Sequence, residues 1–226
     1  MAMVSDAPNF LLLDQRLRFP DPRHANADGL VAIGGDLSVP RLLLAYRSGV
    51  FPWTVNPITW WSPDPRAIFD LDRFRASRSL EKFMRKQPFE LTMDHAFRRV
   101  MEGCAEAAPG REQTWVTPEF LDAYTRLHEQ GHAHSVECWQ ADELVGGIYG
   151  VSIGGFFAGE SMFHRASNAS KVALCHLVDQ LRAHGFALFD IQMVTPATSR
   201  LGAIEIPRSE YLRRLEAAVS SPCKLC

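Results

Sequence analysis

An aspartate and a glutamine two positions apart, Asp190 and Gln192, interrupt an otherwise apolar run over residues 186–193. In an extended strand they share a face with Phe186 and Leu188, while Ala187, Phe189, Ile191 and Met193 take the other. One face is then wholly apolar and the other turns polar halfway along. A half-buried strand alternates from end to end, so the break is local. It sets a carboxylate and an amide about 6–7 Å apart at Cα, within reach of one substrate group or of each other. Such a pair could accept a proton and donate a hydrogen bond at one reacting centre. The alternative is that both residues sit at the solvated end of the strand.

Two further groups could bind a ligand. Trp53, Trp60 and Trp61 fall within nine residues stiffened by four prolines from Pro52 to Pro65, and Trp115 precedes a helix start at Thr117 and Pro118. Tryptophans so placed could close a core or offer faces on which a base stacks. Arg78, Lys82 and Arg85 recur at helical spacing, Lys86 extends the stripe, and Glu81 is the one acid within it. That face is either solvated surface or a phosphate contact.

Other chemistries find less support. His128, His132 and His134 would need a continuous helix for an i, i+4 ligand pair, and Gly131 interrupts it. Cys223 and Cys226 form a C-x-x-C without a second ligand pair, so no metal is expected. Ser161 is followed two residues later by Phe163, which excludes the G-x-S-x-G nucleophile turn. Gly34 and Gly35 precede a helix but match neither nucleotide-binding glycine spacing.

These groups must be positioned by a recognisable set of elements. A helix follows Ser38, with Pro40 in its first turn and Gly49 as its stop. The proline-rich run beyond it reads as a boundary between a small N-terminal domain, residues 1–66, and a second domain, residues 67–226. In the second domain an amphipathic helix begins at Ser77, and another from Asp94 buries Phe97, Val100, Met101 and Cys104. A third starts at Thr117, presents Phe120, Tyr124 and Leu127, and ends at Gly131. Three antiparallel strands are expected over residues 135–139, 144–151 and 156–160, the last ending at Glu160. Gly146, Gly147 and Gly150 inside the middle strand suggest a bulge or the close approach of a ligand. A helix over residues 169–184 then delivers the chain to the strand bearing Asp190 and Gln192.

Composition sets the outer limits. With 226 residues, 46% hydrophobic and 22% charged, the chain is ordinary globular material able to bury a large core. It has no apolar run of about 18 residues, so no membrane span is expected. Residues 1–19 lack the basic start and long apolar stretch of a signal peptide, which reads as a cytoplasmic protein. Five widely spread cysteines are expected to be reduced thiols. A net charge of −2 confines any nucleic-acid contact to a local basic patch.

Strands, a helix, then a strand bearing polar residues is the order seen in acyltransferases of the GNAT type. Acetyl-CoA enzymes of that type carry a Q/R-x-x-G-x-G/A run in the loop before the helix, and residues 164–169 here contain no glycine. The grip on the coenzyme is missing, so an acyl group would arrive on a different carrier. The sequence resembles the leucyl/phenylalanyl-tRNA:protein transferase family from Gly29 to Tyr211. The resemblance is carried, in order, by residues 34–38, 51–53, 60–66, 114–115, 131–135, 146–150, 159–163, 168–171, 190–192 and 201–208.

The resemblance implies an α+β fold, a GNAT-like acyltransferase domain with a small N-terminal domain, acting without metal or coenzyme. It implies transfer of Leu or Phe, less well Met, from aminoacyl-tRNA to proteins that begin with Arg or Lys, marking them for N-degron proteolysis. Trp53 and Trp115 match residues near the 3′-terminal adenosine. Asp190 and Gln192 match those at the peptide-forming centre, with Glu160 beside them. Met162, Ile148 and Leu174 are expected contributors to the apolar pocket for the amino-acid side chain. Arg78, Lys82, Arg85 and Lys86 are expected to hold the acceptor stem by its phosphates, and the enzyme to work as a monomer. Two positions depart from the family pattern: Ile148 stands where a methionine is usual, and Thr195 where an asparagine is. The rival expectations are an acetyl-CoA-dependent N-acyltransferase and a non-catalytic tRNA- or peptide-binding module.

Overall fold

A computed structural model describes residues 10–107 and 114–225, and shows two sheets. The first is built from β1 (Leu11–Leu13), β2 (Leu30–Gly34), β3 (Phe51–Val55) and β4 (Ile58–Trp61), in the order β1-β2-β4-β3. Between β2 and β3 lies α1 (Val39–Arg47), with Pro40 in its first turn and Gly49 in the left-handed region just past its end. Ser38 occupies the N-cap position, but its side chain makes no capping bond; Asp36 instead accepts the Ser38 N–H at 2.8 Å. Trp60 is wholly buried and donates its indole N–H to the Gly34 carbonyl, so of the three clustered tryptophans it is the one that closes a core.

Between Trp61 and Arg66 the chain passes to a seven-stranded sheet. Its strands are β5 (Arg66–Phe69), β6 (Glu90–Met93), β7 (Ala133–Gln140), β8 (Glu143–Ile153), β9 (Phe156–His164), β10 (Leu188–Gln192) and β11 (Ile204–Ile206). Their spatial order is β11-β5-β10-β9-β8-β7-β6, antiparallel throughout except where β10 runs parallel to β9. The three expected strands are present as β7, β8 and β9, each longer than its apolar core suggests. The β7–β8 turn places Ala141 and Asp142 both at positive φ, the geometry a two-residue hairpin needs.

Helices cover both faces. On one side α2 (Arg78–Met84) and α5 (Ala169–Ala183) pack over Phe69, Phe157 and Phe189; on the other, α3 (Phe97–Ala105), α4 (Pro118–Glu129) and α7 (Arg208–Val219) join α1 and the small sheet in one core. A short α6 (Pro196–Ser199) follows β10, its N-terminus closed by a Thr195–Thr198 capping box. The basis of the amphipathic helix at Ser77 is as expected, because its hydroxyl accepts the Leu80 N–H at 3.3 Å and Leu80 is buried.

The glycines of β8 have a packing reason. A Cβ at Gly146 would lie 2.5 Å from the Ala169 methyl, one at Gly147 2.8 Å from the Val136 carbonyl, and one at Gly150 2.1 Å from the Ala158 carbonyl. They admit helix α5 and neighbouring backbone, and they flank a bulge; close approach of a ligand is not what they serve.

Candidate active site

Two irregularities in adjacent strands build the site. Along β8 and β9 the register steps from Tyr149↔Ser161 to Gly150↔Gly159, leaving Glu160 as an extra, unpaired residue. The alternation of faces inverts there: Phe156 and Ala158 join the core under α3 and α4, whereas beyond the bulge it is Phe163 that does so and Met162 that turns toward α5. Along β5 and β10 the register likewise steps from Ile68↔Asp190 to Ala67↔Gln192, with Ile191 extra. Bulges bend a strand and re-aim side chains, and these two fall side by side. The parallel β9–β10 pairing ends at Asp190↔Ala158, while β9 continues to His164, so the two strands part like the arms of a V.

Asp190 lies behind the fork of that V, wholly buried. Its Oδ1 accepts Arg66 Nε at 2.8 Å and the Gln192 N–H at 2.9 Å, and its Oδ2 accepts Arg66 Nη2 at 2.6 Å and the Tyr211 hydroxyl at 3.0 Å. The Arg66 guanidinium carbon lies 4.8 Å from the Phe51 ring centre and 4.5 Å from that of Tyr211, and Nη1 donates to the Gly49 carbonyl. Burial alone would lower the Arg66 pKa, but the Asp190 carboxylate more than offsets it and the guanidinium is held above its ordinary value. The ion pair joins β5 to β10 and reaches the small sheet's connection and α7.

Gln192, the last residue of β10, departs from extended geometry. Its φ is +59°, a left-handed conformation uncommon for a residue with a Cβ, and Asp190 holds it there through its N–H. The two side chains therefore do not project together, as strict alternation predicts. The Gln192 amide turns instead to Glu160, donating from Nε2 to Oε1 at 3.3 Å.

Glu160 and Gln192 open on a cavity of about 230 Å³. Trp53 and Trp115 flank it, Phe51 and Ile191 supply apolar wall, and Thr195 adds a hydroxyl. Trp53 is 37% exposed and stacks edge-on to Trp61 at 5.9 Å, whereas Trp115 leans on Phe120 at 5.1 Å. Behind Glu160 the hydroxyls of Tyr46 and Tyr124 are bonded to each other, and Tyr124 reaches Glu160 Oε2 at 3.5 Å. Burial pushes the Glu160 carboxyl up to about 8, helped by the negative charge of Asp190 and opposed by a hydrogen bond from Tyr46. Burial also raises Tyr46, Tyr124 and Tyr211 well above their ordinary values, so all three stay neutral donors.

The other expected site residues lie elsewhere. Met162 lines a second cavity one step further along β9. Ile148 and Leu174 are 5% and 1% exposed in the core beneath α5 and line neither cavity, because β8 is central in the sheet and Leu174 faces it. Arg78, Lys82, Arg85 and Lys86 are all exposed on and just after α2. His134 is taken up by Asp94 at 2.7 Å, and His128 stacks on Phe97 at 4.3 Å. Among the described residues no group of three or more His, Cys, Asp or Glu side chains could hold a metal. Cys104, Cys138 and Cys175 are buried and form no disulfide among the described residues, and Cys226 lies outside them. Sequence reasoning missed Arg66, Tyr211, Tyr46 and Tyr124. Arg66 ends the Trp60–Arg66 run, but a single arginine gives no sign that it is buried.

The sequence profile of the leucyl/phenylalanyl-tRNA protein transferases matches residues 68–216, and that of their N-terminal domain residues 35–64. The chain belongs to this family. It is 50% identical over 214 residues to the leucyl/phenylalanyl-tRNA–protein transferase of Pseudoalteromonas atlantica, covering 93% of this chain and 92% of that protein. With the enzyme of the same name from Magnetococcus marinus it shares 50% identity over 222 residues, 95% of this chain and 94% of the relative. The chain is thus an aminoacyltransferase. Among solved structures, an aminoglycoside acetyltransferase from an uncultured soil metagenomic sample aligns with a TM-score of 0.38 and 15% identity, over 50% of this chain and 87% of that one. The L-PGS structure from Bacillus licheniformis aligns with a TM-score of 0.42 and 12% identity, over 74% and 54%.

Proposed function

We propose that this enzyme moves Leu or Phe, and less well Met, from aminoacyl-tRNA to the α-amine of proteins that begin with Arg or Lys, the step that marks them for N-degron proteolysis in the cytoplasm. It acts as a monomer in this reading. The observation that carries it is the Glu160–Gln192 pair, opening between two tryptophans on an apolar cavity. An aminoacyl ester is already activated, so transfer needs a neutral amine held close to the carbonyl and somewhere for its proton to go.

An unperturbed α-amine has a pKa of about 7.7–8.0, close to that of a carboxyl pushed up to about 8. Glu160 is therefore matched to accept the amine proton as nitrogen attacks the ester carbon. The Gln192 amide donates to the carbonyl oxygen as it gains charge, or holds the amine. Collapse of the tetrahedral intermediate breaks the C–O bond to the ribose, and the proton passes to the departing 3′-oxygen. Asp190 then acts as a positioning residue, because its carboxylate is spent on Arg66, Tyr211 and the Gln192 N–H. This revises its expected role as the group that meets the amine. Trp53 and Trp115 flank the terminal adenosine, and the Arg78–Lys86 face holds acceptor-stem phosphates without reading sequence.

The test is incubation with radiolabelled Leu-tRNA and a peptide beginning with Arg, against an otherwise identical peptide beginning with an acid. Label is expected in the first peptide alone. Equal label in both, or none in either, would end this reading.

A further inference from the structure

The second cavity, of about 770 Å³, lies where the arms of the V are widest, between the N-terminal end of α5, the start of α2 and α6. It adjoins the transfer centre along both walls: on β9 the lining steps from Glu160 to Met162, and after β10 from Thr195 to Ala197. Its polar lining is Arg75, His164, Lys171 and Arg200, with serines and Asn168, and no carboxylate belongs to it. For a chain of net charge −2 that is a local concentration of cations.

Three donors there lack acceptors among the described residues. The N–H groups of Ser170 and Lys171, in the first turn of the fifteen-residue α5, donate to no cap, since the Asn168 side chain accepts neither. The Ser170 side chain has no partner either; the residue is 6% exposed and lines the cavity. An unpaired hydroxyl on a residue so largely buried, beside two free N–H groups at the cavity wall, marks a place for an acceptor. A helix N-terminus surrounded by cations favours an anion with several oxygens.

We propose that this cavity is a phosphate subsite, and that it receives a phosphodiester of the nucleotide strand whose 3′ end is delivered to Glu160 and Gln192. The assignment rests on the function proposed above. Ser170 and the Lys171 N–H bind the phosphate oxygens, while Lys171 and Arg200 supply the charge. It is distinct from the exposed α2 face: the phosphate is held inside the fold, next to the reacting ester.

The test compares two donors in the full-length enzyme, aminoacyl-tRNA and a phosphate-free aminoacyl-adenosine ester. Lys171→Glu combined with Arg200→Glu is expected to raise KM for aminoacyl-tRNA at least tenfold and to leave the rate with the phosphate-free ester unchanged. Ser170→Ala should show the same selectivity at a few-fold level. Loss with both donors would mean a structural role, and loss with neither would mean a solvated cavity; either overturns the proposal. Direct titration with a CCA trinucleotide, with coenzyme A and with inorganic phosphate separates sources and needs no transfer activity. Trinucleotide binding weakened by the charge reversals supports the subsite even if the transfer reading fails. Retention by coenzyme A or phosphate alone would assign the site to another anion and overturn the claim on the strand.

Discussion

Asp190 and Glu160 are carboxylates on neighbouring strands at the point where β9 and β10 part, and their surroundings are opposite. Asp190 is wholly buried and receives four donors, two of them from a cation. Glu160 faces a cavity, receives long bonds from Gln192 and Tyr124 with a further one from Tyr46, and has no cation among these donors. A carboxylate gripped by four donors is held in place; one with too few donors for its burial keeps its proton to higher pH. The first therefore serves as a strut and the second as a reagent. Proximity in the sheet decides neither role; the number of donors does.

Removing the strut's partner should have the largest effect. Arg66→Ala leaves Asp190 buried and unpaired, and is expected to cost about 3–5 kcal/mol in denaturant unfolding. Arg66→Lys should recover little of it, because an ammonium cannot reproduce the two-pronged contact. A near-wild-type midpoint for Arg66→Ala would erase the contrast between the two carboxylates.

The reagent should fail differently. Glu160→Gln is expected to fold and to bind aminoacyl-tRNA, while its turnover falls about 10²–10⁴-fold, the usual worth of a positioned proton acceptor. The wild-type rate should climb toward an apparent pKa near the value of about 8 that burial gives Glu160, and the variant should lack that limb. Stability carries the same signature. Because the folded pKa lies above the ordinary 4.5, the folded state holds the proton more tightly, and the stabilisation present below about 4.5 is lost as pH rises through about 8. The melting temperature of Glu160→Gln relative to wild type should therefore improve between pH 5 and pH 9. A constant difference would place Glu160 in solvent.

Asp190→Asn sharpens the comparison. It keeps the shape but weakens the hold on Gln192, so turnover should drop while affinity for aminoacyl-tRNA stays within about twofold, an outcome read by separate kinetic and binding measurements. If affinity fell in parallel, Asp190 would be supporting the binding surface as a whole. The smallest effect is expected at the exposed α2 face. Reversing Lys82 and Arg85 together should reduce the slope of log affinity against log salt by about 2, since each phosphate contact contributes about 0.9. An unchanged slope would make that face solvated surface.

Much of this was legible in the chain itself, and the failures have a common cause. The helices starting at Ser77 and Thr117 and the three strands ending near Glu160 follow from spacing and punctuation, which are local. Asp190 and Gln192 stood out because they broke an alternation, and both do belong to the fork of the sheet. Their orientation differs from what alternation predicts, because alternation presumes an unbroken ladder, and a bulge at Ile191 with Gln192 in the left-handed region inverts it. Ile148 and Leu174 lie buried and line neither cavity, a placement spacing does not reveal, because an apolar residue reads the same whether it lines an opening or lies beneath one.

The order of residues by itself determined the helices that begin near Ser38, Ser77, Thr117 and Ala169, the three consecutive strands ending near Glu160, and the family, since each depends on patterns spanning a few to a few tens of positions. Tertiary structure alone decided which carboxylate is free to react. That choice turns on Arg66 meeting Asp190 across 124 positions of sequence and on two bulges falling in register, and on the low dielectric that follows when the sheets and α7 close over them. Donors are counted in space, and no spacing along the chain reveals that count.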